Sequence, residues 1–586
     1  MNRPVRVAAA LLAVLLVPAL LPPFYVTLLG YVGLATLVAL GLVLLTGVSG
    51  QTSFGQAAFV GLAAYASALV TKAGGLPPIL GLGAALAVSG LTAWLLGLIT
   101  ARLSGHFLAL VSVAWGISFF SLFGTLPFLH GFNGIGDIPP LSLGPLSAAD
   151  RRVNLAIIWL AVAALMAASA CLLDSRTGRA IRTLNGARLM AESVGIDTAR
   201  LSRTVFVLAG LYAGLAGFLF AHFQRFINPT PFGMGASIDY LFMVIIGGSE
   251  WLWGAPLGAA LVVLLRDQFN DWIPRLTGRT GDFEALVFSL VVIVLLQRAP
   301  QGLLPLLRRL RRAAPRPAVA GPAEPEPPQP AVVAGSALLR LDQVSRHFGG
   351  LAANRDVSFA VSSGEIVALI GPNGAGKTTL FNLVSGVLAP SSGRIHLFGT
   401  PANDLPPRRI AALGLARTFQ HVKLLPTRSV LENVALGAHL SGRAGVLRSL
   451  LRLDRAEERA LSTAARAQAR RVGLGEVLAM PAGDLPLGQQ RVVEIARALC
   501  LRPRLLLLDE PAAGLRLAEK QRLAALLRQL RAEGMGILLV EHDMDFVMQL
   551  ADRVVVMDFG QKIAEGPPLA VQNDPAVREA YLGGGL

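Results

Sequence analysis

No acidic residue precedes Asp137, and the first glutamate is Glu192. Within that stretch the sequence runs in long, nearly uncharged apolar blocks. A block of about 20 such residues matches the hydrocarbon core of a bilayer, and a helix closes its backbone hydrogen bonds without help from water. Candidate spans lie near 5–21, 24–46, 57–71, 77–100, 106–127, 152–173, 204–222 and 283–297. The stretch 238–265 is also apolar but is interrupted by Gly247, Gly248, Gly254, Pro256 and Gly258. From about Gly335 onward charges become frequent and apolar runs shorten to strand length. The mean hydropathy of +0.58 therefore averages over two unlike halves. At 586 residues the chain has room for two or three domains.

Charge sets the expected orientation. Residues 1–312 carry 21 basic and 11 acidic side chains, a net of +10, and the remainder carries 31 and 25, a net of +6. The arginines of the first half lie between apolar runs, as the positive-inside rule places them, so no nucleic-acid partner is expected. Arg176, Arg179, Arg182, Arg188, Arg200 and Arg203 put the segment 174–203 in the cytoplasm, with 128–151 on the opposite side. Everything after 298 is expected on the same, cytoplasmic side. Parity then forbids a single crossing at 238–265, which should be a hairpin or a pair of short helices. Arg3 and Arg6 followed by an apolar run look like a signal peptide. No small-x-small cleavage site follows, so the run is expected to stay as the first span.

A second glycine-rich interruption spans Gly47, Gly50 and Gly55. Paired breaks in the two parts of a transporter either line a polar pathway or let small residues pack closely. Residues 313–336 hold seven prolines among Ala, Glu and Val, an extended linker without a core. Arg308, Arg309, Arg311 and Arg312 before it suit anionic lipid headgroups. Cys171 and Cys500 give no disulfide framework.

The decisive motif is Gly371-Pro372-Asn373-Gly374-Ala375-Gly376-Lys377-Thr378-Thr379, a phosphate-binding P-loop. An apolar strand pattern ends just before it and a helix pattern begins within it. Its glycines let backbone N–H groups wrap phosphates, Lys377 neutralises the outer phosphates, and Thr378 offers a hydroxyl to Mg²⁺. Further on, Leu505-Leu506-Leu507-Leu508-Asp509-Glu510 is an apolar strand ending in two carboxylates. Asp509 is expected to hold the Mg²⁺ shell and Glu510 to activate the attacking water. A third such strand ends at Val540, and His542 just beyond it is expected to contact the γ-phosphate.

Together these features resemble the ATP-binding cassette (ABC) family over 337–586. The resemblance implies that Gln420, in Ala416-Arg417-Thr418-Phe419-Gln420, is the Q-loop residue that senses Mg²⁺ and contacts the permease. It also implies that Phe348 stacks on adenine, and that Leu485, Gly488 and Gln489 form the signature facing a partner's nucleotide. Two departures stand out: Pro486 replaces the usual signature serine, and Arg516 follows Gly514-Leu515 where a short polar or acidic residue is usual. Phe348-Gly349-Gly350-Leu351, Glu510-Pro511-Ala512-Ala513-Gly514-Leu515 and the tail Glu579-Ala580-Tyr581-Leu582-Gly583 resemble the ATPases of branched-chain amino-acid importers. The first half resembles the matching permeases over about 30–305, through Gln51 to Phe59, Ser175 to Ala180, Ala191 to Asp197, Trp253-Gly254 and Arg298 to Leu303.

The expected architecture is an all-α polytopic membrane domain (1–312), a linker (313–336) and an α/β P-loop cassette with a helical signature subdomain (337–586). The resemblance implies a bacterial inner-membrane importer fusing permease and ATPase, using ATP and Mg²⁺. Its partners would be a second permease and ATPase, either another copy or different subunits, and a periplasmic solute-binding protein. Leu, Ile or Val is the expected cargo; urea, short amides or another amino acid is the alternative, and an exporter a more distant one.

Overall fold

Apolar composition without a polar face dictates the first helix. The computed structural model describes residues 20–100, 106–143, 146–147, 150–277, 283–310 and 335–582. The expected span at 5–21 and the proline-rich linker fall almost wholly outside them, as does Gly583. Helix α1 (Pro23–Leu42) continues through a π-helical turn at Val43–Val48 and is buried nearly all round. A uniformly apolar helix has no face to offer water and goes to the centre of its bundle. Helices α2 (Gln56–Ala68), α3 (Pro78–Thr100), α4 (His106–Thr125) and α5 (Arg151–Leu173) follow. Next come the short α6 (Arg176–Thr183) and α7 (Arg188–Ser193), then α8 (Thr198–Gln224). Helices α9 (Met234–Gly247), α10 (Gly254–Thr277), α11 (Phe283–Arg298) and α12 (Leu303–Leu310) complete the first half.

Among the described residues, five helices are long and apolar enough to cross a membrane: Pro23–Val48, Pro78–Thr100, Phe107–Thr125, Arg151–Leu173 and Thr198–Gln224. The expected span at 57–71 is α2 prolonged to Ala73 by a second π-helical turn. The stretch 238–265 divides at 248–253 into two helices, α9 and α10. Only α9 is short: Arg266, Asp267 and Gln268 end the apolarity but not the helix.

The two glycine-rich breaks meet. A Cβ on Gly47 would lie 1.7 Å from the Ser249 carbonyl oxygen, and one on Gly258 would lie 1.7 Å from that of Met243. Both glycines therefore serve close backbone packing, which is the second of the two roles the sequence left open. His222, buried in the bundle, is paired on both ring nitrogens, with Ser67 at 3.0 Å and the Pro139 carbonyl at 2.8 Å.

The chain resolves into two compact units, and each has borrowed a piece of sequence from the other half. The first comprises 1–186, 199–315 and 446–453; the second comprises 187–198, 316–445 and 454–586. In the second unit, β1 (Ala337–Phe348), β2 (Leu351–Ser362), β4 (Ser392–Leu397) and β5 (Thr400–Pro401) form an antiparallel sheet ordered β2-β1-β4-β5. The other sheet contains β3 (Ile366–Ile370), β6 (Leu415–Arg417), β7 (Leu505–Asp509), β8 (Gly536–Val540), β9 (Arg553–Asp558) and β10 (Gln561–Gly566). Its order is β10-β9-β3-β8-β7-β6, parallel except for the β9–β10 pair. Strands β3, β7 and β8 are buried throughout, which is why their sequences are unbroken apolar runs. Helix α13 (Lys377–Val384) follows β3, and α14 (Pro407–Leu413) precedes β6. A helical subdomain holds α15 (Val430–Ala435), α17 (Arg455–Arg471) and α18 (Leu487–Cys500); α16 (Val446–Leu450) belongs to the first unit. Helices α19 (Leu517–Ala532) and α20 (Met544–Leu550) flank β8 in sequence.

Candidate nucleotide site

Parallel strands bring their C-terminal ends to one edge of a sheet, and loops there form the usual crevice for a ligand. Strand β3 delivers the P-loop to that edge. Gly376 takes φ +91° immediately before α13, a conformation natural to glycine, and so opens the helix N-terminus toward the loop. The Lys377 ammonium folds back over the loop and donates to the carbonyls of Gly371 at 2.7 Å and Pro372 at 2.9 Å. Burial pulls its pKa below the ordinary lysine value, while Glu510 and Asp509 pull it back up.

Strand β7 ends in two acids with different surroundings. Asp509 is buried; burial raises its pKa, and Arg417, 3.5 Å away, opposes that rise. Arg417 is held by Asn382 at 2.8 Å and Ser385 at 2.7 Å. Glu510 has φ +50°, an unfavourable conformation for a side-chain-bearing residue. It is fixed by its N–H donating to the Val540 carbonyl at 2.9 Å, and by Arg491 donating to its own carbonyl at 2.7 Å. Its carboxylate oxygen Oε1 lies 3.1 Å from Gln420 Nε2 and 3.1 Å from His542 Nε2. Two residues from separate loops thus converge on one oxygen of the carboxylate.

A cavity of about 540 Å³ opens at these strand ends. Asn373 to Thr379, Phe348, Gln420, Glu510 and His542 all reach it. Phe348 is exposed, with the Arg346 guanidinium 4.8 Å from its ring centroid. Gly371, Pro372 and Asp509 lie beside the cavity rather than on its wall. Thr378, Asp509 and Gln420 supply only hard oxygen donors for a cation, a set that suits Mg²⁺ alongside phosphate oxygens. Among the described residues no cluster of three His, Cys, Asp or Glu side chains could hold a metal without phosphates.

Leu485 is buried in the core of the helical subdomain with Val430 and Val493, so its side chain supports α18 and cannot face outward. Gly488 is also buried, its Cα side closed by Leu515 and Glu519. Pro486, Leu487 and Gln489 are the exposed members. Arg516 is exposed, its N–H donating to Glu519 at the start of α19.

Sequence reasoning passed over three residues. Arg491 joins the Glu510 carbonyl to the Gln420 carbonyl, the latter at 3.4 Å. Glu541 is buried, accepting from Ala512 N–H at 2.6 Å and His542 N–H at 3.2 Å; burial raises its pKa. Arg417 is the third. Arg491 and Arg417 both sit inside phrases recognised as motifs, and a buried arginine beside a carboxylate-ended strand was the signal available. The second unit also contains Ala187 and Met190, packed with Phe419, Leu425 and Leu436. Arg408 pairs with Asp197 there. The part of the expected coupling region that joins this unit is therefore 187–198, directly beside the Q-loop.

A P-loop, a paired-acid strand end and a polarising histidine on one sheet edge define an ABC-type ATPase, here following a multi-pass membrane domain. The chain belongs to the branched-chain amino acid ABC transporter family, with permease and ATP-binding parts in one polypeptide. The profile described as "Branched-chain amino acid transport system / permease component" matches residues 24–296. That for "ABC transporter" matches 354–513, and that for "Branched-chain amino acid ATP-binding cassette transporter" matches 561–586. The high-affinity branched-chain amino acid transport ATP-binding protein LivG of Salmonella typhimurium is 42% identical over 250 residues, 42% of this chain and 98% of LivG. BraF of Pseudomonas aeruginosa, of the same description, is 41% identical over 250 residues, 42% of this chain and 98% of BraF. A crystal structure of a nucleotide-free ATP-binding cassette from an ABC transporter is 32% identical, covering 42% of this chain and 99% of its own, with a TM-score of 0.38.

Proposed function

We propose that this chain supplies one permease and one ATPase to an importer of leucine, isoleucine or valine in the bacterial inner membrane. The division is 1–312 for transport, 313–336 as linker and 337–586 for ATP hydrolysis. The observation that carries this reading is the joining of a permease and a cassette of one transport system in a single polypeptide. A complete transporter needs two of each, so a second permease and ATPase join it, and a periplasmic solute-binding protein delivers the cargo.

Hydrolysis follows from the strand ends. The P-loop N–H groups and Lys377 hold the phosphates, and Phe348 offers a ring to the adenine. His542 and Gln420 orient Glu510, whose carboxylate takes a proton from the attacking water as its oxygen bonds to the γ-phosphorus. The bond from that phosphorus to the β–γ bridging oxygen breaks, leaving ADP and phosphate. Mg²⁺, when bound among Thr378, Asp509 and Gln420, would neutralise charge developing on the phosphate oxygens. Gln489, exposed at the start of α18, faces the nucleotide of a partner cassette. Closure passes to the permease through 187–198, which packs beside Phe419. Vesicles containing this chain and its partners should accumulate labelled leucine, isoleucine or valine when ATP and the binding protein are present. Uptake of a dicarboxylate or polyamine instead, with none of the three, would overturn the reading.

A further inference from the structure

The first unit contains a second cavity, of about 330 Å³, among α1, α8, α9 and α10. Its walls are mostly apolar, yet Asp239 on α9 and Arg266 on α10 reach into it and pair at 2.5 Å. Tyr31 on α1 and Gln224 at the end of α8 form a second polar contact on its wall. Phe220 and Met243 contribute apolar surface. Charges inside a membrane bundle are expensive, and a partly buried ion pair is a weak source of stability against apolar packing. The pair therefore calls for a functional account.

We infer that this cavity is a transport-pathway site for a zwitterionic aliphatic amino acid, with Asp239 receiving the α-ammonium and Arg266 the α-carboxylate. The inference rests on the import reading above and gives it a location. The Asp239 side chain is only 12% exposed, whereas that of Arg266 is 43% exposed, so the guanidinium can leave the aspartate without becoming buried and unpaired. A guanidinium binds a carboxylate through two parallel N–H donors, a geometry that lysine cannot copy. An incoming zwitterion brings one charge of each sign and replaces the internal pair with two pairs, leaving no net charge in the bundle. A ligand lacking either end leaves one charge unmatched. The volume is at the small end for ligand sites, suited to an aliphatic side chain against Phe220 and Met243.

The test is photolabelling of the full chain, assembled with its partner subunits in lipid nanodiscs, by a diazirine analogue of leucine. Adducts should appear on the peptides carrying Phe220 or Met243. Excess leucine should suppress them, while leucinamide, without a carboxylate, and isocaproate, without an ammonium, should not. Asp239→Asn and Arg266→Gln should each lower labelling at least tenfold per assembled transporter, and Asp239→Glu should retain most of it. Equal labelling in the two variants, adducts only elsewhere, no adducts at all, or equal suppression by leucinamide would each overturn the site. Leucine uptake by vesicles of the unaltered protein separates the two ideas. Uptake without site-dependent labelling removes the site alone, and absence of uptake of all three amino acids removes the import reading itself.

Discussion

The nucleotide cavity and the membrane cavity are built around charge in opposite ways. The first draws the largest single part of its wall from one run, Asn373 to Thr379, and adds the start of β2, the ends of β7 and β8 and the turn after β9. The second draws Tyr31, Gln224, Asp239 and Arg266 from four separate helices. The difference follows from the ligand chemistry. Phosphates are bound by successive backbone N–H groups, which must be neighbours in sequence. A site made from side chains can take each from wherever the helices bring it. A contiguous site should lose one chemical step per substitution, while a scattered site should be most sensitive to its scaffold.

The largest effects should separate steps within the contiguous site. Glu510→Gln keeps shape and hydrogen bonds but cannot accept a proton, so ATP hydrolysis should fall about 10²–10⁴-fold with nucleotide still bound. Lys377→Ala should instead weaken ATP binding, read by titration with a fluorescent nucleotide. A partner cassette with its own base must be silenced for the comparison. Near-normal hydrolysis by Glu510→Gln would show that another group is the base and that the strand end was misassigned.

The scaffold of the membrane unit supplies the next effect. Gly258→Val places a Cβ where the Met243 carbonyl oxygen already sits, so α9 and α10 must separate. Overpacking typically costs about 1–3 kcal/mol, and a clash with backbone cannot be relieved by a rotamer change. The variant should assemble poorly and melt at lower temperature in detergent, although Gly258 does not line the cavity. A normal melting temperature would mean that the helix pair tolerates separation.

The same contrast explains what could be read from the sequence. The P-loop, Asp509, Glu510 and His542 were legible because strand ends and contiguous loops carry local patterns, whereas Gln420 was picked out only through the family resemblance. The break at 248–253 was legible through Gly247, Gly248 and Gly254. A motif gives residue order, whereas burial decides which side chains face outward, so the burial of Leu485 in the helical subdomain had to come from the structure. The far end of α10 was missed because apolarity stops at Leu265, while the helix runs on to Thr277 through Asn270, Asp271 and Pro274, whose propensities argue against it. The Asp239–Arg266 pair was half legible: Asp239 was conspicuous in an apolar run, but Arg266 could be matched to it only once α9 and α10 had folded back on each other.

A smaller effect should come from Arg491, which positions Glu510 without touching the cavity wall. Its guanidinium bonds the carbonyl of a residue held at φ +50°, and a hydrogen bond to a charged group contributes about 1.5–3 kcal/mol. Arg491→Ala should reduce kcat for ATP about tenfold or somewhat more, with KM for ATP nearly unchanged. Arg491→Lys should recover part of it, since it keeps charge but loses the second contact to Gln420. A change confined to KM would place Arg491 in binding rather than in positioning the base.

The smallest effect tests whether charge outside both cavities matters at all. Asp543 caps α20, accepting from Phe546 N–H at 3.1 Å, and pairs with Lys520. The Lys520 ammonium, and after it the Phe546 N–H, hold the Asp543 carboxyl below its usual pKa. Asp543→Asn retains the cap and removes the charge, isolating a part-exposed ion pair whose contribution to stability should be small. Because the folded pKa is depressed, the folded state binds fewer protons than the unfolded state between the two pKa values. The contribution is therefore fully present above the unfolded value of about 4 and is lost as pH falls through the lower folded value. Amide exchange across Met544–Leu550 should be slightly faster in the variant at pH 7, and the gap should narrow in high salt and on acidification below about pH 4. A gap that widened with acid would reverse the sign and show that the folded state stabilises the neutral carboxyl instead.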